Sequence, residues 1–186
     1  MSLDMESVYG AVISIINNRI GTRLSVMGGR PSIIKAKSDA ARPKFPYATV
    51  DIVGIKDTNS YLTNKYTNEL GQEVYETHKS IMVAISVRAN NSESYELCND
   101  VHKAFTFENT LVYLQTQIAA SVRTTEPIVP ILDALSDRLQ EYNTFNVVIA
   151  MVDRDVDTLS TPIENVEIGG TIKDPSGSDQ NVDITA

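Results

Sequence analysis

The chain has 186 residues, enough for one domain with a proper core and too few for two comfortable ones. Hydrophobic residues make up 42% and charged residues 22%, a globular composition too rich in apolar residues for a wholly disordered chain. A formal net charge of −8 argues against a general nucleic-acid binder, which needs a dense positive field to neutralise phosphates.

Residues 4–20 carry Met5, Val8, Val12, Ile15, Ile16 and Ile20 at three- and four-residue spacing, which predicts a helix. Asp4 is its expected N-cap and Gly21 its stop. The opening residues, Met1 to Glu6, lack the positive region and apolar run of a secretion signal. Residues 21–46 are expected to be a loop, punctuated by Gly28-Gly29, Pro31, Pro43 and Pro46. Lys35, Lys37, Arg42 and Lys44 make it the most basic part of the chain, with only Asp39 as a nearby opposite charge.

Tyr47 to Ile55 predicts a strand with Ala48, Val50 and Ile52 on one side. A polar insert follows over residues 56–71, carrying turn-forming Asp57, Asn59, Asn64 and Asn68 together with Tyr61 and Tyr66. From Gln72 to Ala89 a long strand is expected, in which Ile81, Val83, Ile85 and Val87 alternate with Met82, Ala84, Ser86 and Arg88. The two strands around the insert predict an extended antiparallel hairpin.

A second helix is expected over 92–105, capped by Asn91 or Ser92, with Tyr95, Cys98, Val101 or His102, and Phe105 on its inner face. Leu111, Leu114 and Ile118 add a short helix or turn. Ala120 to Glu126 reads as a strand, ended by Pro127 and Pro130, and Ile131 to Arg138 as a short helical piece. Tyr142 to Val152 is a strong strand with Phe145, Val147, Ile149 and Met151 on one face, and Ile163 to Ile168 a last edge strand. Its longest apolar stretch is far too short to span a bilayer, so no membrane role is expected. From Gly169 the composition turns to Gly, Ser, Asp and Asn. The division expected is one domain over 1–170 and a flexible or partner-ordered tail over 171–186. The fold class expected is α+β: a mostly antiparallel or mixed sheet with helices packed on one face.

Candidate chemistry is sparse. Asp153, Asp155, Asp157 and Glu164 stand at positions 1, 3, 5 and 12 of a calcium loop. Thr158 occupies the place of the required glycine, Pro162 lies inside, and the preceding segment is a strand, so a solvated turn is the preferred reading. Cys98 and His102 lie one helical turn apart, but zinc needs three or four ligands and only His78, on another element, remains. The same pair would make a thiol nucleophile with a base, yet a cysteine inside a helix is usually core. As the single cysteine, Cys98 forms no intramolecular disulfide and points to a reducing compartment. Gly28-Gly29-Arg30 lacks the spacing of a phosphate loop, Gly169-Gly170 reads as a strand end, and no Ser/His/Asp arrangement stands out. A small enzyme or ligand-binding domain would need convergent polar residues that the sequence does not offer. No catalytic, metal or cofactor residue is expected.

The element order does carry a resemblance. The Pro46-Tyr47-Ala48-Thr49-Val50-Asp51-Ile52 strand follows an opening helix. The strand from Ser80 to Ala89 leads straight into the helix of Ser92 to Phe105. Ile118 to Arg123, Glu126-Pro127-Ile128-Val129-Pro130-Ile131 and the strand from Tyr142 to Ile149 complete the series. This series resembles the tail terminator (neck terminator, or tail-completion) proteins of long-tailed, especially contractile-tailed, bacteriophages. Arg138 and Glu141 partly represent the family's charged residues near the last long strand.

The resemblance implies a hexameric ring on the head-proximal end of the tail tube, which stops tube growth and docks the head-neck connector; the alternative is another phage neck, tail or baseplate-associated structural protein. It implies no chemistry and no cofactor. The implied partners are further copies of the chain, the tail tube protein, the sheath protein as a further candidate, and a head-completion or connector protein. Genomic DNA passes through the pore without sequence-specific binding. The implied location is the virion, after assembly in the host cytoplasm. Tyr61, Tyr66, Lys35, Lys37, Arg42 and Lys44 are the expected interface residues, with the insert ordering against a neighbouring subunit or the tube.

Overall fold

The computed structural model describes residues 4–37, 41–57, 64–90, 93–135, 138–157, 167–173 and 179–185. Helix α1 spans Met5–Ile20. Asp4, in extended conformation, accepts a hydrogen bond from the Glu6 backbone N–H at 3.0 Å and so satisfies one of the free donors of the first turn. The Ser7 hydroxyl donates to the same carboxylate, and these bonds hold the Asp4 carboxyl below the usual carboxylate range. Val8, Val12, Ile16 and Ile20 are fully buried, each contributing roughly 1.5–3 kcal/mol relative to exposure.

The loop expected over 21–46 contains more structure than its prolines and glycines predict. After a 3₁₀ turn, Gly21–Arg23, strands β1 (Val26–Met27) and β2 (Arg30–Pro31) form a miniature antiparallel hairpin. Its turn is Gly28-Gly29, with φ of 61° and 78°, a left-handed pair that only glycine adopts without penalty. Strand β3 (Ile33–Lys35) then pairs in parallel with β4 (Tyr47–Asp57). Ser32 N–H donates to the Ser25 carbonyl, and Ser25 N–H to that of Pro46, so the hairpin is tied to the start of β4.

Strand β4 pairs antiparallel with β6 (Glu73–Arg88) from Tyr47↔Arg88 to Asp57↔Lys79, as the hairpin pattern predicts. A register shift between Ile52 and Gly54 breaks the alternation, and beyond it Val53 and Ile55 are half exposed. Strand β5 (Asn64–Thr67) lies within the polar insert and also pairs with β6. Its turn is held by the Asn68 side chain, which accepts from the N–H groups of Leu70 and Gln72.

Helix α2 (Glu93–Ala104) follows β6, and α3 (Glu108–Ile118) follows α2. The buried face of α2 is Leu97, Cys98, Val101 and Ala104, continuing into Phe105; Tyr95, expected inside, faces solvent. The expected caps Asn91 and Ser92 lie outside the described residues. Strand β7 (Ala120–Thr125) returns antiparallel to β9 (Arg138–Asp157). Of residues 131–138, expected to be helical, the described ones, 131–135 and 138, are extended instead. Strand β8 (Val129–Leu135) pairs antiparallel with the start of β9, from Val129↔Thr144 to Leu135↔Arg138. The ladder satisfies backbone groups that an isolated short helix flanked by Pro130 would leave free.

The main sheet runs β3-β4-β6-β9-β7, with β5 pairing β6 and β8 pairing β9. Ala48, Val50, Ile81, Val83, Ile85, Val87, Phe145, Val147 and Ile149 share its inner face, and the buried faces of the three helices complete one core. The fold class is therefore α+β, with a mixed, mostly antiparallel sheet. Buried Ser94 ties helix to sheet: its hydroxyl donates to the Val87 carbonyl and accepts from the backbone N–H and side-chain amide of Asn143.

The chain divides into two compact units, Met1–Asn64 with Glu76–Asp155, and Lys65–Tyr75 with Val156–Ala186. The first holds the three helices and the core. The second includes an antiparallel hairpin of β10 (Glu167–Lys173) and β11 (Asp179–Thr185), a sheet of its own. The units part at Asn64/Lys65, at Tyr75/Glu76 and at Asp155/Val156.

Candidate functional site

The basic segment is less free in charge than its sequence predicts. Lys35 closes β3 and sets its Nζ 2.6 and 2.7 Å from the two Glu6 carboxylate oxygens, 4.6 Å from the centre of the Tyr9 ring. Lys37 pairs with Asp51 at 3.2 Å. The expectation that Asp39 is the only opposite charge nearby is thus corrected: β3 lies beside β4 and near the start of α1, which brings Asp51 and Glu6 within reach. Asp39 itself lies outside the described residues. Arg42 and Lys44 are exposed, and among the described residues neither has a carboxylate partner. Lys44 contributes only its carbonyl, which accepts from the Ser25 hydroxyl.

Of the two tyrosines expected at an interface, Tyr66 is exposed on β5 and Tyr61 lies outside the described residues. Near Tyr66, Lys65 pairs with Glu73 at 2.6 Å and lies over the Tyr75 ring. That contact holds the Glu73 carboxyl below its ordinary range and raises the Lys65 ammonium.

A groove of about 610 Å³, not foreseen from sequence, runs between α1 and the β1–β3 segment. Ile13, Ser14 and Asn17 line one wall; Met27, Arg30, Pro31 and Ile33 line the other. Val26 and Met27 beside it are exposed although apolar, as a surface awaiting cover would be. The signal that could have found it is Val26-Met27-Gly-Gly-Arg30-Pro31, a two-residue hairpin turn rather than plain loop. Strand β3 ends the sheet here, so its outer edge carries no strand among the described residues.

Asp153, Asp155 and Asp157 occupy alternate positions of strand β9, an extended geometry unlike the wrapped loop that calcium requires. Asp153 instead pairs with Lys79 across the sheet at 2.5 Å, and that bond raises the Lys79 ammonium. Glu164 lies outside the described residues. Cys98 is fully buried, as a cysteine inside a helix usually is, and desolvation pushes its thiol up to about 12. His102 sets Nε2 3.1 Å from the Glu126 carbonyl and its ring edge-on to Phe145, 5.0 Å between centres. A helix–sheet contact of this kind uses the imidazole in packing. His78 is exposed on β6, a separate element. Among the described residues no three His, Cys, Asp or Glu side chains converge on a common point, and no helix is long and apolar enough to cross a membrane.

The features brought together are surfaces: a basic loop, an open sheet edge and a groove. Residues 7–176 match the sequence model of a family described as phage neck terminator protein. The chain belongs to the phage neck terminator family. This terminator is thus a structural component of the phage tail, of the kind its element order resembles. Its fold is similar to that of a solved structure described as the sheath/tube terminator, in the extended state, of an extracellular contractile injection system (PVC). The TM-score is 0.50 at 10% sequence identity, over 89% of this chain. The chain spans 62% of that terminator's own length. No curated protein matches it in sequence.

Proposed function

We propose that six copies of this neck terminator close into a ring on the head-proximal end of the tail tube. The ring ends tube polymerisation and presents the surface on which the head-neck connector docks. The family match over residues 7–176 carries this reading, and the likeness in fold to a sheath/tube terminator supports it. A heterologous contact, in which each copy offers one surface and receives another, closes on itself when its rotation divides the circle evenly. The open edge of β3 and the unpartnered charges of Arg42 and Lys44 are surfaces of that kind.

The function requires no catalysis and no cofactor. A thiol at about 12 is protonated at neutral pH and makes a poor nucleophile, and the nearby imidazole is occupied in packing. The insert that holds β5, with Tyr61 and Tyr66, orders against a neighbouring copy or the tube; tyrosine suits surfaces that are wet before assembly. Tube protein and sheath protein form one side of the assembly, the connector the other, and assembly takes place in the host cytoplasm before incorporation into the virion.

Negative-stain imaging of the purified protein, and of tails assembled with it, tests the reading. The expected result is six-fold rings, alone or at one end of the tube. Tubes that stop at normal length without this protein would overturn it.

A further inference from the structure

The C-terminal hairpin lacks something that the β3 groove supplies. A two-stranded hairpin alone is at best marginally stable in water, and needs a third strand or a packed face. Its register pairs Ile168 with Ile184, Gly170 with Val182 and Ile172 with Gln180. Directly paired residues share a face, so Ile168, Ile172, Val182 and Ile184 occupy one face of the hairpin together with Gly170 and Gln180. The alternate positions are Glu167, Gly169, Thr171, Lys173, Asp179, Asn181, Asp183 and Thr185. The hairpin is therefore amphipathic, and among the described residues no third strand joins it.

Charge divides the chain in the same way. Residues 157–186 contain six acidic residues and one lysine. Residues 30–44 contain five basic residues and one aspartate. Two of those bases are neutralised within the subunit by Glu6 and Asp51, leaving Arg30, Arg42 and Lys44 without a carboxylate among the described residues. Arg30 lines the groove, and Arg42 and Lys44 lie on the connection from β3 to β4. At the other end of the sheet, β7 is a poorer acceptor: a register shift at Arg123 breaks its ladder, and acidic Glu126 follows it.

We propose that the β10–β11 hairpin of one copy docks on a second copy, adding a strand beside β3 with its apolar face toward the groove under α1. Asp179 and Asp183 then meet Arg42 and Lys44 of that copy. Main-chain bonds along β3 fix the register, and the charges select the β3 edge over β7. The contact is heterologous, as ring closure needs, and it rests on the ring reading above.

Charge exchange in full-length protein tests it, with assembly followed by analytical ultracentrifugation. Arg42→Glu/Lys44→Glu alone, and Asp179→Lys/Asp183→Lys alone, should each raise the concentration for half-assembly by at least about tenfold, since each faces like charges. An equal mixture of the two variants should assemble near the wild-type concentration. In an alternating ring every acidic hairpin meets a basic edge, and every basic hairpin an acidic edge. Wild-type assembly should weaken as salt rises from about 50 to about 500 mM, because these charges lie at the surface. Either variant assembling like wild type, a mixture that stays dissociated, or salt-insensitive assembly would overturn the contact and leave the ring standing. A wild-type chain monomeric at every concentration would overturn both.

Discussion

Cys98 shows how burial decides what a side chain can do. The thiolate is the reactive form, and the core formed with Leu97, Val101 and Phe105 excludes it. With its thiol pushed up to about 12, Cys98 holds roughly one part in ten thousand thiolate at pH 8. Modification by a thiol reagent at that pH should therefore be at least about a hundredfold slower in the native protein than in guanidinium-unfolded chain, and should follow opening of the core. Comparable rates would show that α2 does not pack as described. The thiol also sets a sign for alkaline stability. Its folded pKa lies above the unfolded value, so the unfolded chain loses the proton first as pH rises past about 9, and stability falls from there. The residues expected at an interface are harder to judge from sequence. Lys35 and Lys37 looked unpaired because Glu6 and Asp51 are distant or unremarkable in sequence, and only the parallel β3–β4 pairing brings them near. Arg42 and Lys44 have no carboxylate partner among the described residues, and the Lys44 carbonyl accepts from the Ser25 hydroxyl.

Elements were legible where one face is buried over many residues. Helix α1, the hairpin of β4 and β6, and the long strand β9 carry periods of 3.6 or 2, broken in β4 at its register shift, and most residues that the periods name are buried, Met5, Ile52 and Met151 only partly. Short elements failed for identifiable reasons. Strand β3 has three residues between Pro31 and a basic loop, too few to establish a period. In β8, Ile131, Leu132 and Leu135 imitate helical spacing, and only pairing with a distant segment makes them extended. Strand β11 is written in Gln, Asn and Asp, residues more typical of turns. In α2 the expected face holds at Cys98, Val101 and Phe105 and fails at Tyr95, which is exposed while Leu97 is buried. The end of α3 offers a direct test of element chemistry. Ala119 caps it in the left-handed conformation, φ 50° and ψ 39°, and its N–H donates to the carbonyls of Leu114 and Gln115. Glycine adopts that conformation without the Cβ clash, although it has more freedom to lose on folding. Ala119→Gly should stabilise the fold by about 0.5–1 kcal/mol, raising the melting midpoint by roughly 1–4 °C. The side chain is exposed, so packing should not oppose the change. A lower midpoint by calorimetry would show that Ala119 is not left-handed in solution.

At the scale of the assembly the net charge becomes the governing quantity. If six copies close into the proposed ring, a chain at −8 gives that ring a formal charge of about −48. Duplex DNA carries one negative charge per about 1.7 Å of axis, and each phosphate held by a lysine or arginine adds to affinity through counterion release. A basic lumen would grip the duplex over several turns, whereas ejection requires it to move. The lumen should therefore be neutral or acidic, with the basic residues turned elsewhere. The distribution of bases in the subunit is consistent with that division. Arg19 and Arg23 are engaged with Asp100, Lys79 with Asp153, and Lys35 and Lys37 with Glu6 and Asp51. Arg42 and Lys44, without such partners among the described residues, are the bases that the proposed contact between copies would use. The isolated ring should then bind a short duplex no more tightly than about 10⁻⁴ M near physiological salt, the weak end of non-specific affinity. Fluorescence anisotropy across a salt series measures this directly. Micromolar binding, with log K falling by about 0.9 for each phosphate neutralised, would mean that the basic loop lines the channel. The Arg42→Glu/Lys44→Glu chain would then lose DNA binding along with its salt slope, and the sliding argument would fail for this terminator.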